Sequence, residues 1–467
     1  MPVEGRGLGS CQMSKEVKAE GIDMFLPTPP EKVEKLQTAL HTKAKAEPGY
    51  RFYALYDKMH RSDVLAYAYE RCLANGGAAG VDGQTFDDIR EYGAAKWLGE
   101  LAEELKARTY KPQAVRRVWI PKADGKQRPL GIPTIRDRVA QMAAVLILEP
   151  IFEADLQPEQ HAYRAGRSAL EAVQAVAAHL DRGATEVVDA DLSGYFDSIP
   201  HAELMKSVSR RIVDRHVLHV IKLWLEAAVE ETDERGRKVR TTRNKDEGRG
   251  TPQGGVLSPL LANLYMRRFI LAWKGNGHEA RLDAHIVNYA DDFVILAQDK
   301  SKADEAMAVM RRIMEKLRLT VNEKKTRRCA LPEETFTFLG YTFGRCYSKR
   351  TGRAYISPRP SARKISAMTE KVSEITSGRA THRETDEVVG SLNSALRGWA
   401  NYFCFGPVQE IYTALMEHAR WRLRRWLSRK HRVRRGVYAT YPNEYLHEEL
   451  GLIQLKSLRP RSLWATV

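Results

Sequence analysis

The stretch HIVNYADDFVILA, residues 285–297, decides the reading of this 467-residue chain. Two apolar runs, His285 to Asn288 and Phe293 to Ala297, flank Tyr289, Ala290, Asp291 and Asp292, so two strands should turn on a pair of adjacent carboxylates. Neighbouring acids repel each other and resist burial, and a chain that walls them with strand formers needs something positive to neutralise them. Two readings are open here: a solvated Asp-Asp turn, or half of a divalent-metal site. A second acidic position separates them.

That position lies upstream, where Glu186 to Leu192 reads as a strand that delivers Asp191 before a break at Gly194 and Pro200. Strands placing Asp191 beside Asp291 would hold two magnesium ions roughly 3.5 to 4 Å apart, one activating a primer hydroxyl and one clamping phosphates and the leaving group. An all-oxygen ligand set suits magnesium, with manganese as a substitute, better than zinc. Asp197 is assigned to capping the following turn, and Asp189 to the opposite face of a regular strand. Asp292 is expected to reach a metal only through a local bend, because neighbours on a strand point to opposite faces.

Length exceeds one comfortable core and suggests about three units. Lysine and arginine number 75 against 59 acids, a formal charge of +16 that favours a polyanionic partner, nucleic acid first. There is no run of about 18 apolar residues and no signal-peptide core, so a soluble cytoplasmic protein without a membrane partner is expected. The cysteines Cys11, Cys72, Cys329, Cys346 and Cys404 form no CxxC pair, which points away from zinc and from a disulfide framework. Oligomeric state is not legible.

Along the chain, Glu31 to Lys45 reads as an accessory helix and Tyr50 to Leu105 as helical around a glycine-marked turn at 75–83. Val115 to Ile120 and Lys126 to Ile132 should form a hairpin closed by Asp124 and Gly125, followed by a buried helix from Asp137 to Ile151. The polar segment 230–250, with Arg235, Arg237, Lys238, Arg240, Arg243 and Lys245, is either a solvated hairpin or a template-contacting flap. Strands interleaved with helices give an α+β fold, an antiparallel sheet covered by helices, and from Ser361 onward the pattern is almost wholly helical. There Arg424, Arg425 and Arg429 belong to a dense basic run that reads as a nucleic-acid face.

These landmarks resemble a group II intron reverse transcriptase, or maturase. The resemblance runs through GVDG (80–83), IPKADGKQRPLG (120–131), YRAGRS (163–168), DLSGYFDSI (191–199), GTPQGGVLSP (250–259), YADD (289–292), VNEKKT (321–326), FLGYTF (338–343) and LNSALRGWANYF (392–403), nine segments in order. It implies a right-hand polymerase: an N-terminal extension with an accessory helix to residue 49, fingers over 50–185, a palm over 186–358 that includes the basic insertion, an all-α thumb or maturase domain over 359–435, and a short basic tail over 436–467 without an endonuclease domain. The implied activity is RNA-directed DNA synthesis from deoxynucleotides on an RNA template, with a DNA primer or target, together with assistance to intron splicing and retrohoming. A relative domesticated for phage defence or DNA repair, and an RNA-binding maturase with vestigial polymerase activity, are the alternatives.

The same resemblance implies roles residue by residue. Asp191, Asp291 and Asp292 would be the metal ligands, and Lys325 a proton donor to the leaving pyrophosphate. Lys122 and Arg128 would lie over the triphosphate, where a guanidinium can bind oxygens bidentately. Phe196 would abut the ribose 2′ position, and Gln253 would position the nucleotide between glycines that permit close backbone approach. Phe338, Leu339, Gly340 and Tyr341 would form the primer grip, and Arg164, Arg167 and Arg397 would join the thumb arginines on nucleic acid.

Overall fold

The computed structural model describes residues 27–121, 127–233 and 235–458. Lys122, Asp124 and Gly125, together with Cys11, therefore lie outside the described residues. The chain begins with helix α1 (Glu31–Ala46), followed by α2 (Ser62–Asn75), α3 (Ala94–Ala107) and α4 (Ile135–Glu153). Helix α4 is apolar on nearly every side and is buried accordingly, from Ile135 and Val139 through Leu148 to Phe152. The expected accessory helix α1 is part of that core: Val33, Leu40 and Ala44 are buried, while Gln37 donates to the Leu146 carbonyl and the His41 ring meets the Pro150 carbonyl at 3.0 Å.

Strands β1 (Val115–Pro121) and β2 (Gln127–Ile132) pair antiparallel, with Trp119 opposite Pro129. Pro129 cannot donate to a ladder, and β2 is an edge strand. The other edge of β1 takes the hairpin β4 (Val229–Thr232) and β5 (Lys238–Thr241), giving the order β2-β1-β4-β5. The basic segment assigned to the palm thus extends the fingers sheet instead. An open edge of backbone groups at β1 is completed there, beginning with Val115 N–H on the Ala228 carbonyl. Part of its positive charge is internal: buried Glu230 accepts Arg240 at 2.7 Å and pairs with Lys238 at 3.2 Å.

The palm sheet comprises β3 (Glu186–Asp191), β6 (Ala284–Tyr289), β7 (Asp292–Ala297) and β8 (Arg327–Ala330) in the order β6-β7-β3-β8. Both faces are covered, so its strands read as continuous apolar runs rather than as an alternation. Val188, Phe293 and Ile295 face the main core, which contains α4, α6 (His201–Ser209), α7 (Arg215–Leu225), α8 (Ser258–Gly275) and α9 (Lys300–Lys316). Val187, Val294 and Leu296 face the helix Ala169–Asp181 and a small sheet of β9 (Phe336–Phe338), β10 (Tyr341–Tyr347) and β11 (Ala354–Pro360).

Three further helices, Ala362–Ile375, Thr385–Tyr402 and Gln409–Lys430, enclose a separate core around Val372, Leu392, Leu396, Leu423 and Trp426. The segment expected as a tail beyond residue 435 closes this core with Tyr441, Leu446, Leu452 and Leu455. The helical unit is pressed onto the palm at Gly406, where a Cβ would stand 1.8 Å from the Pro358 carbonyl oxygen. Among the described residues, no helix is long and apolar enough to cross a membrane.

Two histidines bracket the palm. His161 is buried and its N–H donates to the Asn288 carbonyl on β6, while His179 stacks on His285 at 4.6 Å. Burial first, then Arg167 and Arg164 for His161 and the His285 ring for His179, pushes each imidazole from 6.5 down to about 4. The unfolded chain takes up these protons below 6.5 and the folded chain only near 4, so their stabilisation is complete above 6.5 and is lost as pH falls through that window. Carboxyls with raised values act with the opposite sign, so the informative quantity is the difference between wild type and His161→Gln. Urea midpoints taken at both ends of the window should fall less on acidification in the variant; equal falls would contradict the assignment.

Candidate active site

The register between β3 and β7 creates the site. Val187 lies opposite Leu296, Asp189 opposite Val294 and Asp191 opposite Asp292, and residues two apart on a strand share a face. Asp189, Asp191 and Asp292 therefore stand on one side of the sheet, where its apolar cover runs out. The assignment of Asp189 to the opposite face is overturned by that parity. Asp291 occupies the two-residue turn between β6 and β7, with Ala290 at φ +59°, and Asn288 Nδ2 holds the Ala290 carbonyl at 2.9 Å. A first turn residue at positive φ is the hairpin geometry that usually selects glycine. It supplies the local bend between Asp291 and Asp292.

Electrostatics record the crowding. Exclusion of water by the surrounding protein, then the charges of Asp291, Asp191 and Asp189, pushes the Asp292 carboxyl up to about 7, with Lys325 opposing. Asp189 is pushed up to about 6, by burial first and by Asp191 further, against Arg327. Asp291 is raised by burial and by Asp191, against its own backbone N–H, Arg128 and Lys325. Asp191 is the best-held member: Asn322 Nδ2 donates to its carboxylate at 2.8 Å, Lys325 Nζ lies 3.1 Å away, and Asn322 N–H binds its carbonyl. Among the described residues, no three carboxylate, imidazole or thiolate groups converge closely enough to enclose a metal ion. What the donor set offers is a row of oxygens that disfavour one another's charge, which a hard divalent cation relieves.

The fingers dock on the palm through Gln253, and the Arg128 charge reaches Asp291. Its carbonyl accepts Gly131 N–H from β2 at 2.5 Å, its side-chain oxygen accepts Arg128 Nε at 3.1 Å, and its amide donates to Asp197 at 3.3 Å. Asp197 is thus a partner of Gln253, and among the described residues its side chain makes no turn-capping bond. Gly254 has φ +108°, and a Cβ there would stand 2.3 Å from the Gly131 carbonyl. Phe196 is 6% exposed and packs edge-on against Tyr163, which is 47% exposed at φ +55°. Tyr163, within the electrostatic reach of Asp291 and Arg128, presents the aromatic surface, with Phe196 beneath it.

Several expected contacts are placed differently. Phe338 and Tyr341 are buried, leaving only Leu339 and Gly340 at the turn, both at positive φ; Tyr402 Oη donates to the Leu339 carbonyl at 2.7 Å. Arg164 is buried and held by Glu153 at 2.6 Å and by the Gln157 and Gln160 carbonyls, so it is a structural clasp rather than a nucleic-acid contact. Arg424 is likewise buried, on the Tyr441 carbonyl and Asn443 Oδ1. Arg167 lies 3.7 Å from Glu171, while Arg397, Arg425 and Arg429 are exposed. Sequence reasoning missed Asn322 and Tyr163, although each lies in a quoted segment, and it set Asp189 aside.

A palm sheet ending in acids, a fingers hairpin docked on it and an all-helical thumb form a right-hand polymerase. Residues 120–343 match the family described as reverse transcriptase (RNA-dependent DNA polymerase), and residues 365–441 match the group II intron, maturase-specific domain. Protein YkfC of Escherichia coli K12 is 33% identical over 374 residues, covering 72% of this chain and 95% of that one. The group II intron-encoded protein LtrA of Lactococcus lactis subsp. cremoris is 35% identical over 229 residues, 48% of this chain and 36% of LtrA. The putative COX1/OXI3 intron 1 protein of Saccharomyces cerevisiae is 26% identical over 333 residues, 61% of this chain and 38% of that protein. The chain belongs to the group II intron reverse transcriptase/maturase family. Its two matched domains imply nucleic-acid partners.

The docking of fingers on palm is testable through Gly254. Gly254→Ala should cost about 3 kcal/mol, combining a positive-φ penalty with overpacking. Gly248, at φ +59° with nothing within 4 Å of an added Cβ, provides the control for the backbone penalty alone. Unfolding midpoints that fall equally for Gly254→Ala and Gly248→Ala would refute the close approach.

Proposed function

We propose that the chain is an active RNA-directed DNA polymerase, copying intron RNA from a DNA primer or target and assisting the splicing of that intron. The observation that carries this reading is the placement of Asp191 opposite Asp292, with Asp291 in the adjoining turn, because vestigial chemistry would leave no reason to keep such mutually repelling acids together. Asp191, Asp291 and Asp292 would hold divalent cations, magnesium by donor type with manganese as a substitute, and Asp189 adds a fourth carboxylate to the same face. Two bound cations would lower the pKa of the primer 3′-hydroxyl and neutralise the phosphate oxygens.

The chain's own groups do the rest. Arg128, anchored on Gln253, would contact the triphosphate, as would Lys122, six residues earlier in the sequence. The primer hydroxyl gives up its proton to solvent as its oxygen bonds to the α-phosphorus and the bond to the bridging oxygen of the pyrophosphate breaks, and Lys325, beside Asp191, supplies the proton that the leaving group takes. Gln253 positions the nucleotide, and the Leu339–Gly340 turn touches the primer backbone. Arg397, Arg425 and Arg429 remain for nucleic acid in the thumb.

Asp291→Asn should lower primer extension on an RNA template by at least about a thousandfold, with RNA affinity unchanged, because binding rests on dispersed cations. Parallel collapse of binding would contradict that separation, and wild type that extends no primer would leave the vestigial reading. Phe196→Ala should raise ribonucleotide incorporation relative to deoxynucleotide by about tenfold or more. Unchanged sugar selectivity would remove Phe196 from the ribose pocket and leave Tyr163 as its wall.

A further inference from the structure

A second concentration of charge lies where the segment after α1 and the loop after α4 meet α6 and α8, sharing no residue with the acidic site. Pro48, Gly49, Arg51, Asp155, Ser209, Arg210, Arg211 and Arg267 line a cavity of about 550 Å³. Four guanidiniums face it against the single carboxylate of Asp155, and these residues come from four places in the chain: the segment after α1, the end of α6, helix α8 and the loop after α4.

Fold stability accounts for one of the four. Arg211 is buried, donates to the Ala44 carbonyl at 2.6 Å, the Glu47 carbonyl at 2.9 Å and the Pro48 carbonyl, and lies 3.3 Å from Asp155. It closes the C-terminal end of α1 and takes up the charge of Asp155. Among the described residues, Arg51 and Arg267 are each tethered by one hydrogen bond, to the Ser209 carbonyl at 3.1 Å and the Asp155 carbonyl at 2.6 Å. A guanidinium carries five N–H donors, so each tether orients the fork and leaves most donors for something else. The Arg210 side chain makes no hydrogen bond or ion pair of its own among the described residues.

Like charges gathered around one concavity repel, and burial together with Arg210 and Arg211 holds the Arg267 guanidinium below its ordinary value, against the pull of Asp155. Such an arrangement is favourable when an anion enters, and planar forks fixed through backbone carbonyls match the tetrahedral oxygens of a phosphate. A carboxylate ligand would fill less of the cavity and accept fewer of these donors. We propose that this pocket binds phosphate, as the phosphodiester backbone of a bound RNA or as a free phosphate group, with Arg51, Arg210 and Arg267 as its donors and Arg211 as its floor. It shares no residue with the acidic row, so its test is independent of the polymerase reading.

Arg51→Gln/Arg210→Gln removes the two exposed cations and leaves the structural Arg211–Asp155 pair in place; its unfolding midpoint in chloride should be no lower than that of wild type, since it also relieves like-charge repulsion. In the first arm, binding of a labelled structured RNA is followed against salt. The variant should bind about tenfold more weakly, with the salt slope reduced by about 0.7 to 0.9 for each guanidinium removed, and Arg51→Lys/Arg210→Lys should retain most of the slope. In the second arm, inorganic phosphate should raise the melting temperature of wild type above that in chloride of equal ionic strength, and should not do so for the glutamine variant. A change in the first arm alone assigns the RNA backbone, a change in the second alone assigns free phosphate, and wild-type behaviour of the variant in both overturns the site. Failure of wild type to extend a primer would sink the polymerase reading and leave both arms intact.

Discussion

The structure rests on mutual repulsion held in register. Asp189, Asp191 and Asp292 lie on one face at the end of an antiparallel sheet, with Asp291 in the turn beside them, and the charges of Asp189, Asp191 and Asp291 all raise the cost of ionising Asp292. Left to itself, that end of the sheet would fray or slip. A one-residue slip of β7 against β3 would send Phe293 and Ile295 to the face now occupied by Val294 and Leu296, and both faces are packed. The two apolar covers thus fix the register that the acids oppose. The acids are kept together at the expense of mutual repulsion, and their order along the strands follows from hydrophobic packing elsewhere.

Around this row the remaining elements act as braces. Asn322 and Lys325 grip Asp191 from the segment that leads into β8, and Asn288 fixes the turn from beneath. Gln253 ties three parts together: the β2 backbone through Gly131, the Arg128 guanidinium, and Asp197. Because Gly254 lies against the Gly131 carbonyl, fingers and palm cannot separate locally without breaking this junction. The position of the β2 hairpin over the palm is consequently set by backbone contact, which is stiffer than side-chain contact.

Much of the site was legible because its chemistry is local. The strands around Asp191 and Asp291 announce themselves by apolar runs, and the glycines beside Gln253 by the close approach only they allow. What escaped notice depends on contacts distant in sequence or on simple parity. Asp189 was sent to the wrong face although positions two apart share one. The 230–250 hairpin looked like a palm insertion because nothing local shows that β1 has an open edge. Tyr163 gave no signal of its own, since an aromatic in a basic turn reads equally well as surface or core until its positive φ is seen.

The arginines bring the same lesson to charge. A formal +16 invites the inference that cations mean nucleic acid, yet a guanidinium is also the side chain best able to satisfy several carbonyls at once. Arg164, Arg211 and Arg424 do so, each buried and each closing a place where the chain ends or turns without a ladder partner. Removing them would expose unpaired carbonyls in the core, so they answer to folding. Their neighbours differ by a single step. Arg210 adjoins Arg211 and Arg425 adjoins Arg424, and in each case the buried residue sets the backbone from which the exposed one projects. Buried arginines therefore position exposed ones, and the basic surface is built from the inside outward.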